Sequence, residues 1–64
     1  MTDSDIYFTF LSASKYGGAF YQRLAEAGMA ADTQNKRRIL NEFHELLEHY
    51  GPSKGLHQLL RNPK

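Results

Sequence analysis

The chain has 64 residues, no cysteine, 41% hydrophobic and 23% charged residues, and a net charge of +1. A chain this short holds at most one domain, and its apolar burial nearly cancels against its ordering entropy. The composition fits a globular chain, excludes disulfide staples and thiolate zinc sites, and contains no apolar run near the ~20 residues that span a bilayer.

The charge is unevenly placed. Residues 1–32 carry a net −2 and residues 33–64 a net +3. That is a mild dipole, short of a polybasic arm. The N-terminus opens on Asp3 and Asp5 rather than a basic run, so no secretory signal is expected. The absence of cysteine suits a reducing compartment, and a soluble, cytoplasmic protein is expected.

In residues 5–14, Ile6, Phe8 and Phe10 alternate with Tyr7, Thr9 and Leu11, as in a strand. Read as a helix, the same segment puts Tyr7, Phe10, Leu11 and Ser14 on one face, with Asp3 or Ser4 as cap. A lone strand has no partner here, so a helix is predicted. Gly17-Gly18 then reads as a joint to a second helix, from Tyr16 or Ala19 to Ala30. Tyr16, Phe20, Leu24 and Ala27 share a face of that helix. The small Ala25, Ala27, Gly28 and Ala31 let another helix come close.

The clearest periodicity runs from Thr33 to Tyr50, where Ile39, Leu40, Phe43, Leu46, Leu47 and Tyr50 form an amphipathic stripe. Asp32 or Thr33 can cap its start. Gly51, in a left-handed conformation, and Pro52 can end it. Arg38–Glu42 and Glu45–His49 have the spacing of helical ion pairs. After Pro52, Ser53 is the expected cap of a short last helix with Leu56, Leu59 and Leu60 inward, stopped by Pro63.

Catalytic signatures are weak. His44 and His49 flank Glu45 and Glu48, but they are five apart, roughly 140° around a helix, and cannot share one metal as H-E-x-x-H requires. A metal set of Glu45, His49 and His57 would need His57 folded back onto the long helix. Tyr16-Gly17-Gly18 lacks the spacing of a phosphate loop. Nothing sets a histidine and a carboxylate beside Ser4, Ser12, Ser14 or Ser53, and Glu42, Glu45 and Glu48 step along a polar face. No enzyme, cofactor or metal site is expected.

Binding signals are stronger. Lys36-Arg37-Arg38 places cations at a helix start, against the macrodipole, which suits contact with phosphate or acidic protein. The helix-turn-helix pattern fails around Gly28, whose expected small residue four positions earlier is Leu24. Eight aromatics, six of them in residues 7–21, are more than so small a core can fully cover.

Tyr16, Gly17, Phe20, Leu24, Ala31, Asp32, Asn35, Phe43, Glu45, Leu46 and Tyr50 lie within residues 16–51. In that stretch the chain resembles small, uncharacterised helical proteins of phages and prophages. Where that pattern has proline after the phenylalanine, this chain has His44. The resemblance implies a helical fold and a mobile-element setting, in which small proteins act by binding and blocking host proteins, including antiviral defence complexes.

The expectation is therefore an all-α single domain over residues 1–64, a small bundle of three to four short helices. It acts as a protein-binding module on a host or phage partner, through Tyr7, Tyr16, Tyr21, Arg37 and Arg38. One alternative is nucleic-acid binding through Lys36, Arg37, Arg38, Lys54, Arg61 and Lys64. Another is a structural or self-assembling homo-oligomer. No membrane partner is expected.

Overall fold

The computed structural model describes residues 2–61. These form five helices and no strand: α1 Asp3–Tyr16, α2 Ala19–Ala30, α3 Thr33–Glu42, α4 Glu45–Tyr50 and α5 Gly55–Arg61. The fold is all-α, with one helix more than three to four. None of these helices is long and apolar enough to cross a membrane.

α1 is helical despite its strand-like alternation, and its start is fixed by a capping box one residue earlier than expected. The Thr2 hydroxyl accepts the Asp5 N–H at 3.0 Å, and the Thr2 N–H donates to the Asp5 carboxylate at 3.0 Å. Helical spacing then collects Ile6, Thr9, Phe10 and Ala13 on one buried stripe. The expected face of Tyr7, Phe10, Leu11 and Ser14 is rotated: Phe10 is buried, Tyr7 exposed. Thr9 is accommodated because its hydroxyl donates to the Asp5 carbonyl at 2.7 Å.

Gly17 and Gly18 separate α1 from α2, as the sequence indicates. α2 turns a different face inward from the one its large residues suggest. Tyr21, Leu24, Ala25 and Gly28 face the core, at i, i+3, i+4 and i+7, whereas Phe20 and Ala27 are exposed. The reason is steric. A Cβ at Gly28 would overlap the Phe10 ring, so α2 presents its smallest residue to the largest fully buried one.

Asp32 caps α3, its carboxylate accepting the Asn35 N–H at 2.8 Å. The expected continuous helix from Thr33 to Tyr50 breaks at Phe43-His44, where Phe43 leaves helical geometry at φ −111°, ψ 62°. α3 packs on α2 whereas α4 packs on α1 and α5. The break lets one apolar stripe serve both contacts, burying Leu40 from α3 and Leu46 from α4.

α4 ends at Gly51, which is extended (φ −70°, ψ 176°) rather than left-handed. Glycine is needed there for space, since a Cβ would meet the Leu47 carbonyl. α5 starts after Lys54, whose carbonyl accepts the Gln58 N–H, so Ser53 stands one residue too early to be its cap. Of its expected leucine stripe only Leu60 is half-buried: Leu56 and Leu59 are exposed, and His57 is fully buried instead. Pro63 lies outside the described residues.

Gly28→Ala tests the α1–α2 contact. Helix propensity alone favours alanine by about 1 kcal/mol. Overpacking a fully buried ring costs about 1–3 kcal/mol. A lower urea midpoint is expected, and a raised one would show that the Phe10 ring can give way.

Candidate functional site

The basic residues divide into one that holds the fold together and several that face outward. Arg61 closes α5 onto α1. Its guanidinium donates to the Asp5 carboxylate at 2.6 Å and to the Ser4 hydroxyl at 3.0 Å, and lies 5.5 Å from the centroid of the Phe8 ring. Asp5 uses one oxygen for this bond and the other for the Thr2 cap. The Arg61 hydrogen bond first, and the Thr2 backbone second, lower the Asp5 pKa to about 2.

His57 completes this cluster. A carbonyl only accepts, so the 2.9 Å contact with the Tyr50 carbonyl places the ring proton on Nδ1. Nε2 then faces Arg61 at 3.5 Å, and the ring lies 5.9 Å from that of Phe8. A buried histidine thus satisfies a carbonyl at the C-terminus of α4.

Arg61, assigned to a nucleic-acid surface on sequence grounds, is committed to this internal clasp. Lys64 lies outside the described residues. Lys54, Arg37 and Arg38 are exposed and Lys36 is half-buried.

Arg37 and Arg38 line different hollows. Arg37 borders one of about 220 Å³ with Ile6, Leu40, Asn41 and Leu47, where α1, α3 and α4 meet. Arg38 borders a wider one of about 520 Å³ with Asn35, Ile39, Glu42 and Phe43. Neither ion pair expected along the long helix forms. Arg38 donates to Asn35 at 3.2 Å, and Glu45 accepts the Tyr21 hydroxyl at 3.0 Å. That bond pushes the Tyr21 pKa above its ordinary value.

Of the eight aromatics, only Phe10 is fully buried. Tyr7 is 48% exposed, Tyr16 44% and Phe20 58%. Tyr21 is half-buried and tied to Glu45. Phe20 packs edge-on against Phe43, with 5.8 Å between ring centroids, and so extends the Arg38 hollow. The sequence puts Phe20 on one helical face with Tyr16, Leu24 and Ala27, and of these only Leu24 is half-buried. The small-residue stripe through Ala25 and Gly28, which the sequence marks as a place of close helix approach, is the one that faces α1.

His44 and His49 are exposed. Among the described residues, no three histidine or acidic side chains are grouped so as to hold a metal ion. The chain matches no protein-family model, no curated protein and no solved structure.

The clasp makes a pH prediction. With its folded pKa below the unfolded value near 4, Asp5 stabilises the fold above about pH 4, and this contribution is lost as pH falls through about 2. The urea midpoint of the native chain should fall between about pH 5 and pH 2, and less steeply in Asp5→Asn. Equal slopes in the two proteins would contradict the assignment.

Proposed function

We propose that this chain is a small protein-binding module that acts by occupying a partner's surface. The observation that carries the reading is the aromatic distribution: one of eight rings is fully buried, and three stand at 44–58% exposure. Scattered apolar exposure is ordinary, but exposed aromatics beside arginine are the side chains that anchor protein interfaces. Tyr7, Tyr16 and Arg37 are the proposed contacts.

The resemblance of residues 16–51 to small phage and prophage proteins supports a host protein as the partner, with antiviral defence complexes as one class. The commitment of Arg61 to Asp5 weakens the nucleic-acid reading, which loses one of its six cations. A cytoplasmic location belongs to the same proposal.

The test is capture of partners from a bacterial lysate by the tagged chain, with and without nuclease. A protein retained in stoichiometric amount after nuclease is expected. The triple variant Tyr7→Ala/Tyr16→Ala/Arg37→Ala, folded by circular dichroism, should lose it by at least about tenfold. Capture that disappears with nuclease, or that ignores the triple variant, would overturn the proposal.

A further inference from the structure

α3 carries an outward stripe of Asn35, Arg38, Ile39 and Glu42, at i, i+3, i+4 and i+7, bordering the 520 Å³ hollow with Phe43. Its apolar part is Ile39 and Phe43, half-buried against the core, and Phe20, 58% exposed, which packs edge-on against Phe43. The stripe also carries one charge of each sign, a helical turn apart. Arg38 and Glu42 have the spacing of an intrahelical pair, yet Arg38 donates to Asn35. The ion pairs among the described residues are Arg23–Glu26 and Asp5–Arg61, so Glu42 has no cation there.

We propose that this face pairs two copies of the chain about a two-fold axis, with Arg38 of each copy against Glu42 of the other. A two-fold contact brings the same patch of both molecules together, so it needs a patch complementary to itself. A cation and an anion one turn apart on a helix meet that need when two α3 helices lie antiparallel and the axis passes between the charges. Two ion pairs then close at the rim over Ile39, Phe43 and Phe20. The second hollow lacks this property: its lining has Arg37 and no acid, so two copies meeting there would oppose like charges. The proposal goes beyond the partner-binding reading. Pairing through α3 leaves Tyr7, Tyr16 and Arg37 outside the contact, displayed twice.

The size of the chain sets the expected strength. Its accessible surface is 4132 Å², and a standard interface takes about 800 Å² from each partner, about a fifth of that. One ten-residue helix with two aromatic neighbours supplies less. The pairing is therefore of the weak class, with dissociation in the micromolar range or above.

The experiment is light scattering on the purified chain, from about 10 µM to about 1 mM at low salt. The mass of the native chain should climb from 7.3 kDa toward twice that value. Arg38→Glu sets two acids against each other across the axis, and Glu42→Arg sets two arginines. Each variant alone should stay monomeric, with unchanged circular dichroism. Mixed in equal amounts, the two restore both opposite-charge pairs, and the mass should rise again. The Tyr7→Ala/Tyr16→Ala/Arg37→Ala variant should associate like the native chain, which separates failure of this proposal from failure of the partner reading. A native chain that stays at 7.3 kDa at the highest concentration would overturn the pairing. So would single variants that associate like it, or a mixture no heavier than its components.

Discussion

The fold depends on one close approach, that of the Phe10 ring to the Gly28 backbone. Phe10 is the only fully buried aromatic, and α1, which carries it, packs against α2, α4 and α5. To let the ring in, α2 must turn Gly28 and Ala25 toward it. That rotation carries Phe20, 100° around from Tyr21, out of the core and beside Phe43. The exposed aromatic surface is thus a consequence of how the core is packed. A chain of 64 residues has too little interior to bury a large ring from α2 as well.

A second constraint acts where the two ends of the described chain meet. Asp5 caps α1 with one oxygen and holds Arg61 with the other, and Arg61 also lies against Phe8 and next to the buried His57. This cluster joins helices separated by most of the sequence. It also removes one cation from the surface and leaves Arg37 and Arg38 on α3 as the exposed arginines outside an ion pair among the described residues. The function proposed follows from that division: charge at the clasp serves stability, and charge on α3, beside aromatic rings, is available for recognition.

Much of this architecture was legible in the sequence. Helical periodicity, Asp32 as a cap, the Gly17-Gly18 joint and the stop at Gly51-Pro52 are local signals, and the structure uses each of them. Rotation was not legible. α2 holds two overlapping stripes, one with the larger side chains and one with the smaller, and the choice is made by Phe10 on another helix. The break at Phe43-His44 likewise has no glycine or proline to mark it and is set by two different packing partners. The burial of His57 was not legible either, because the carbonyl it satisfies, that of Tyr50, lies on the preceding helix. Of the expected contacts, Tyr7, Tyr16, Arg37 and Arg38 are exposed and Tyr21 is half-buried, whereas the pairing of Phe20 with Phe43 emerges only from the three-dimensional packing.

The most direct test of this account is a double-mutant cycle between Phe10 and Gly28, read by urea unfolding. Phe10→Leu removes the ring atoms that an added Cβ at position 28 would strike. Gly28→Ala should therefore cost less in the Phe10→Leu background than in the native one, with a coupling of at least about 1 kcal/mol. Costs that add to within about 0.3 kcal/mol would contradict the claim that this contact sets the rotation of α2, and with it the exposed surface.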